Sequence, residues 1–414
     1  MKPTRHKPIV MILLDGFSRT YLSSSGTPGL SDLARNGAEI ELDNLFAFRG
    51  IEASLFSGKS IQEHGIWVEY SIANDWLTGV KHRLPYHTES LLKGIDQRGW
   101  DYVSKAMRTV LQRWYPEFIS TRTPNIIPAN LIGCFQECAV DGRDYFGRPL
   151  DTIYDALARA GASYLNLMPP RFVDGEEILR RIKSGLMRGE RHDFYYIKLS
   201  APDTVGHRFG PNSPEMDRAI SRTDDMVASI LAVMQGVLGK IQAVVISDHG
   251  MSEVTELVDL TTLVHETGLM VPEDFVYFLD STVARFWCRN QASQNDLRSL
   301  LEDLSELREV DDERRNEIGI QGTGRGYGDL IYDLREGFAF SPDFYRHSEK
   351  PRGMHGYGTT SSDRPILLLY PRPDFELPQR IAFEGVRPVV ERLAELYSQN
   401  AGGLSVKSSS THRG

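Results

Sequence analysis

The chain has 414 residues, 41% of them apolar and 25% charged, with a formal charge of -9 at pH 7. That length and composition exclude general disorder and a core too small to stand without staples. The acidic balance excludes a protein that grips a nucleic-acid duplex by bulk charge, yet leaves room for a local basic pocket that holds a small anion.

In chain order, the basic start MKPTRHKP leads into residues 8–16, PIVMILLDG, an apolar run closed by Asp15 and a glycine. Such a run predicts a strand buried on both faces, and with no small-residue cleavage site it is not a signal peptide. No apolar stretch reaches the roughly 18 residues of a membrane span, so no membrane partner is expected. A short helix is predicted over 28–36 with Gly37 ending it, then a strand over 38–45 and a helix within 46–58. Residues 67–147 are rich in Trp, Tyr, Arg and Pro with weak periodicity, which predicts an irregular lid or substrate-recognition insert. From residue 151 helices and strands alternate: a helix to 160, a strand over 163–167, a helix over 175–184 and a strand over 193–199. This alternation predicts an α/β fold, a mostly parallel central sheet with helices on both faces.

A long helix over 213–238, with Ser213 as cap and Pro214 in its first turn, feeds residues 243–250, AVVISDHG, a second apolar strand that ends in Asp248 and His249. A second irregular insert is expected over 272–343, with a short helix at 293–307 and several strands. Residues 365–370 predict a late core strand and 386–397 a terminal amphipathic helix. Residues 1–400 thus form one α/β domain with inserts, and 401–414, AGGLSVKSSSTHRG, a disordered tail. The three cysteines, Cys134, Cys138 and Cys288, make neither an even disulfide set nor a CxxC pair, which points to a reducing compartment and a cytoplasmic location.

Ligands of open α/β sheets bind beyond the carboxyl ends of the strands, so Asp15 and Asp248-His249 share one predicted site. An aspartate after a buried strand is commonly a turn former or helix cap, but a cap needs no imidazole, and Asp beside His suits a divalent ion. Residues 200–210, SAPDTVGHRFG, add Asp203 and His207, four apart and so on one face of a helical turn. In GMHGY, His355 lies between glycines that let an imidazole turn inward. Carboxylates and imidazoles without thiolates suit zinc or manganese, and paired ions can clamp both oxygens of an in-line phosphoryl displacement.

Five ordered phrases, LLDG, SGKSIQEHGIW, PDTVGH, SDHGM and HGY, resemble the alkaline phosphatase superfamily, in its nucleotide pyrophosphatase/phosphodiesterase branch, over residues 8–371. The resemblance implies two divalent ions, usually zinc with manganese or magnesium as alternatives. It assigns Asp203, His207 and His355 to one, and Asp15, Asp248 and His249 to the other. It implies a small anionic substrate such as a nucleotide. His64, in QEHGIW, matches a family position that holds no ligand and is read as packing the turn after the helix.

The family's Thr or Ser nucleophile falls ten residues before the glycine that closes its helix, and in FRGIEASLFSG that position is Phe48. A phenyl ring supplies no nucleophile. Ser54 could replace it only through a six-residue slip that rotates the helix, and Arg49 could hold a phosphate fork-wise or simply face solvent. The leading expectation is a two-metal hydrolase of a phosphodiester, phosphoric anhydride or related anionic ester, with attack by metal-activated water. The alternatives are a transferase in which a substrate hydroxyl or amine attacks, and a metal-stabilised binding protein without catalysis. Neither the substrate nor the oligomeric state has a motif.

Overall fold

The computed structural model describes residues 7–23, 25–47, 49–73, 150–169, 174–322, 325–345, 350–357 and 364–394, with residues 91, 95, 103, 106–107, 110, 127–128, 131 and 134–138 between them. Its strands, in chain order, begin with β1 (Ile9–Leu14), β2 (Ala38–Leu42), β3 (Tyr70–Ile72), β4 (Phe135–Glu137), β5 (Tyr164–Leu167) and β6 (Phe194–Leu199). There follow β7 (Gln242–Ser247), β8 (Ser252–Glu253), β9 (Glu256–Val258), β10 (Phe275–Leu279), β11 (Val283–Cys288) and β12 (Leu307–Glu309). The last are β13 (Leu330–Leu334), β14 (Phe338–Phe340), β15 (Gly353–Met354), β16 (Ile366–Tyr370) and β17 (Arg380–Ile381).

The central sheet has seven strands in the order β17-β2-β16-β7-β1-β6-β5. β5, β6, β1 and β7 pair in parallel, and β16 alone runs against its neighbours β7 and β2. The expected mostly parallel sheet is therefore present, as a mixed sheet with one reversed strand. All six residues of β1 and of β7 are buried, as their uninterrupted apolar runs require of strands covered on both faces.

Alternation along the strands sends Ile9, Met11 and Leu13 to one core and Val10, Ile12 and Leu14 to the other. The first core takes Ile51, Leu55 and Phe56 from the helix Arg49–Ser57, Leu157 from Ile153–Arg159 and Val390 from Val386–Leu393. The second takes Ile178 and Ile182 from Gly175–Met187 and Met216, Val227 and Met234 from Pro214–Leu238. Each fully buried side chain of this size contributes about 1.5–3 kcal/mol, so two such layers fix the sheet firmly enough to hold polar groups at its end. The capping predicted for the long helix is found: Pro214 is its first residue and the Ser213 hydroxyl accepts from the Met216 N–H.

The stretch 272–343 differs from the irregular insert expected of it. β10, β11, β13 and β12 form an antiparallel four-stranded sheet with its own core, including Phe278, Phe286, Trp287, Leu330 and Tyr332. Its helix runs over Gln291–Glu302, not to 307. The aromatic and arginine content that reads as a loop surface is instead packed inward: Arg285 is fully buried over the Phe278 ring. The predicted strand over 38–45 ends at Leu42, and the helix over 175–184 continues to Met187. Of the insert over 67–147, the β3–β4 pair is described and joins the core of the antiparallel sheet. Trp67 and Val68 pack in the first core, Ile127 and Leu131 beside β3 and β4. Apart from these and a few single positions, the insert, the 395–397 end of the last helix and the 401–414 tail lie outside the described residues.

Candidate metal centre

Strand register builds the site. Leu14 lies opposite Leu199 and Ser247, so the carboxyl ends of β1, β6 and β7 are level. The next residues are Asp15, the start of the helix Ala201–Phe209, and Asp248. Gly16 turns the chain away at φ 71°, and a Cβ there would come within 2.7 Å of the Asp203 Cα, so only glycine allows the two segments to touch. The contact is made by the Asp203 N–H, which donates to the Asp15 carbonyl at 3.1 Å.

Asp203 and His207 sit one turn apart on that helix, as their spacing predicts. His355 arrives from the opposite direction: β15 pairs with β8 just past His249, and Arg352 N–H donates to the His207 carbonyl at 2.9 Å. The approach depends on Gly353, where a Cβ would lie 2.5 Å from the Gly206 oxygen.

The six predicted ligands gather into two sets, Asp203-His207-His355 and Asp15-Asp248-His249, each with its donor atoms within 4.8 Å of one another. In the first, Asp203 Oδ1 is 3.1 Å from His207 Nε2 and 3.5 Å from His355 Nε2. In the second, His249 Nε2 is 3.5 Å from Asp15 Oδ1 and 3.7 Å from Asp248 Oδ1. A tetrahedral ion with bonds of about 2.0–2.1 Å has donor-to-donor edges of about 3.3 Å, so both sets have the right size. The two share a wall, for the rings of His249 and His355 stack at 3.6 Å with 11° between their planes.

Tautomers point the same way. His207 Nδ1 faces the Gly353 carbonyl and His249 Nδ1 the Gly250 carbonyl, both at 2.9 Å. A ring that donates from Nδ1 turns Nε2 toward the carboxylates as a metal-binding atom. Asp203 Oδ1 is buried 3.1 Å from His207 Nε2, and with Nδ1 protonated toward the Gly353 carbonyl that nitrogen has no hydrogen to donate to it. A cation between them satisfies both. The donor chemistry and this orphaned oxygen fit a divalent ion in each set.

Lys198 joins the second set, a residue that no motif in the sequence marks. It is the penultimate residue of β6, opposite Leu13, and so faces the same side as Leu13 and the helix Arg49–Ser57. Its Nζ lies 3.1 Å from Asp15 Oδ2, 3.1 Å from Glu52 Oε1 and 3.8 Å from Asp248 Oδ2. Burial opposes its charge, but Asp15, Glu52 and Asp248 outweigh burial and hold the ammonium well above the usual lysine range. The sequence signal is a lone charge inside FYYIKL, an otherwise uncharged strand.

Burial and the neighbouring Asp248 push Asp15 up to about 7. Burial works against charge on His249 too, yet the carboxylates of Asp248 and Asp15 raise it to about 9. Asp203 goes the other way: burial opposes ionisation, but His207, and then His355, hold it below the ordinary carboxylate range.

Ser54 does not face this chemistry as a free hydroxyl. It is fully buried, 3.0 Å from His64 Nε2, and Ile66 N–H donates to His64 Nδ1 at 3.0 Å. With Nδ1 accepting, Nε2 carries the proton and donates to Ser54 Oγ. His64 is thus the packing residue expected of it. Phe48 and the side chain of Arg49 lie outside the described residues.

Residues 9–358 match the family described as type I phosphodiesterase / nucleotide pyrophosphatase. Human (Homo sapiens) ectonucleotide pyrophosphatase/phosphodiesterase family member 1 is 36% identical over 70 residues, 16% of this chain and 8% of that protein. Human family member 7 is 26% identical over 253 residues, 59% of this chain and 48% of that protein. These alignments span from under a tenth to about half of the relatives' lengths. The structure of murine ectonucleotide pyrophosphatase/phosphodiesterase 5, an inactive form in complex with AMP, superposes with a TM-score of 0.65 at 17% identity, covering 94% of this chain and 95% of that one. At that identity the likeness shows a shared fold.

Proposed function

Because the chain belongs to the type I phosphodiesterase / nucleotide pyrophosphatase family, we propose that it is a two-metal hydrolase of a phosphodiester or phosphoric anhydride, with water in place of a protein nucleophile. The observation that carries this reading is the convergence of two three-residue donor sets at the level ends of β1, β6 and β7, sharing the His249–His355 stack. Divalent ions held there, zinc first among them, supply a Lewis acid for the phosphoryl oxygens and a water nucleophile whose pKa falls to about 7.

The chain's own residues do the rest. Asp203, His207 and His355 form one seat, and Asp15, Asp248 and His249 the other. Gly250 and Gly353 carbonyls lock two of the imidazoles in register. Asn44, Leu45, Ala47 and Ile51 line a small cavity beside Asp248, His249 and His355. Phe48 at the family's nucleophile position and the Ser54 hydroxyl held by His64 support attack by water. The AMP complex of the murine relative supports a nucleotide as substrate. A cytoplasmic location goes with this reading, supported by an odd number of cysteines without a CxxC pair.

The deciding experiment is turnover of an aryl phosphodiester and of a chiral nucleoside phosphorothioate by the purified, zinc-loaded protein. Inversion at phosphorus is expected, as one in-line displacement gives. Retention would reveal a covalent intermediate and overturn the water mechanism. Transfer to an added alcohol without hydrolysis would make the protein a transferase, and no turnover with both ions bound would leave a binding protein.

A further inference from the structure

Among the described residues the two donor sets differ in that a lysine ammonium stands beside the second. Asp15 and Asp248 each turn Oδ1 toward His249 and Oδ2 toward the Lys198 ammonium. The same ammonium touches Glu52, a buried carboxylate on the helix Arg49–Ser57 that belongs to neither donor set. Glu52 and Lys198 are 146 residues apart in the chain, and β6 and the helix bring them together at 3.1 Å. Above them Tyr196, two residues before Lys198 on the same face, packs edge-on against Phe56 of that helix at 5.1 Å, which fixes the spacing between strand and helix.

We propose that Lys198 is a built-in competitor of the second metal ion, holding Asp15 and Asp248 together when the ion is away and retreating onto Glu52 when it binds. It rests on the two-metal reading above. Any dication held by Asp15 and Asp248 would share its carboxylates with an ammonium 3.1 and 3.8 Å from them, and in a buried site like charges at such range repel strongly. Glu52 gives the lysine a position that does not depend on the metal ligands. The consequence is regulatory: the ion at Asp15-Asp248-His249 is held more loosely than its ligands alone would hold it, and is the exchangeable one. Lys198 therefore acts as a positioning residue through the carboxylates.

Metal binding, not activity, tests this. Chelator-stripped protein is titrated with Zn2+ by calorimetry, and the second position is identified as the one lost in Asp248→Ala. Lys198→Met and Lys198→Gln should each tighten that position by about tenfold or more and leave the other within about threefold. Lys198→Arg should restore the wild-type affinity. Glu52→Gln, which removes the lysine's refuge, should weaken the second position by about tenfold. A merely structural lysine gives another pattern, in which the neutral variants weaken binding. That outcome, or no shift, overturns the proposal. Should circular dichroism show both neutral variants unfolded, Glu52→Gln decides, and an unchanged or tighter second position overturns it. Wild-type protein that binds metal at neither position sinks the two-metal reading itself, whereas binding at both with unshifted variants sinks only this inference.

Discussion

Both halves of the molecule bury carboxylates, and they treat them differently. In the antiparallel sheet, Asp280 receives the Arg285 guanidinium at 2.9 Å, and Asp333 receives Arg308 at 2.7 Å and Arg314 at 2.8 Å. At the end of the central sheet, Asp15, Asp248 and Glu52 gather round one lysine, and Asp203 faces two imidazoles. Buried charge is tolerated where a fixed partner matches it in geometry and sign. In the first region arginines of the same region supply that partner, with Asp333 Oδ1 and Arg285 Nη2 left without a hydrogen bond among the described residues. In the second, among the described residues, Asp15 and Asp248 share one ammonium, and six carboxylates and imidazoles stand at the spacing of metal ligands.

The sharpest break of this contrast comes from removing a ligand. Asp203→Ala and Asp248→Ala should each lose one of two bound ions, read by elemental analysis after mild dialysis. Phosphodiesterase turnover should fall by roughly a thousandfold or more, the scale of losing a group used in the transition state. Two ions retained in either variant would mean that the donor sets are misassigned.

Much of this site is legible in the sequence because it is local. An apolar run ending in Asp-Gly, another ending in Asp-His, a D-x3-H on one turn and a histidine among glycines each declare themselves within a few residues. Lys198 and Glu52 do not, for each is meaningful only through the other, and the strand register that joins them is set by distant packing. The reversal of β16 is hidden for the same reason: ILLLY reads as a buried strand in either direction. The 272–343 sheet is masked by its paired charges. Arg285 and Asp333 read as surface residues until their partners are known.

The antiparallel side breaks in the opposite manner. Arg285→Leu leaves Asp280 buried against Tyr345 with its guanidinium gone, and should cost about 3–5 kcal/mol in urea unfolding while both metal ions stay bound. Replacing both partners, Asp280→Leu with Arg285→Met, should recover most of the loss. If the single variant instead sheds metal, the two regions are not separate in function.

Protons sharpen the contrast further. In the metal-free protein at pH 7, His249, raised to about 9, carries its proton, and Asp15, raised to about 7, is about half protonated. Both atoms must be bare to bind an ion, so loading releases protons. Affinity at this position should fall about tenfold per pH unit between 9 and 7, and more steeply below 7. Calorimetry in buffers of different ionisation heat counts the protons directly. A flat pH dependence would show that the carboxylates and the imidazole are already deprotonated.

The smallest effect is expected at Ser54, and it separates a buried hydroxyl that packs from one that attacks. Ser54 is fully enclosed, and its oxygen accepts from His64, whose other nitrogen is fixed by the Ile66 N–H. For Ser54 to act as nucleophile, His64 would have to take a proton from it through Nε2. That requires the opposite tautomer, which sets a ring N–H against the Ile66 N–H at 3.0 Å. Ser54→Ala takes this acceptor from the buried His64 Nε2–H and should cost about 1–3 kcal/mol of stability, with turnover unchanged within a fewfold. His64→Ala should cost more stability, because it also leaves the Ile66 N–H without its acceptor, and should again spare turnover once the protein is folded. A thousandfold loss of turnover in folded, metal-loaded Ser54→Ala would make this serine the nucleophile after all, and retention of configuration at phosphorus would have to accompany it.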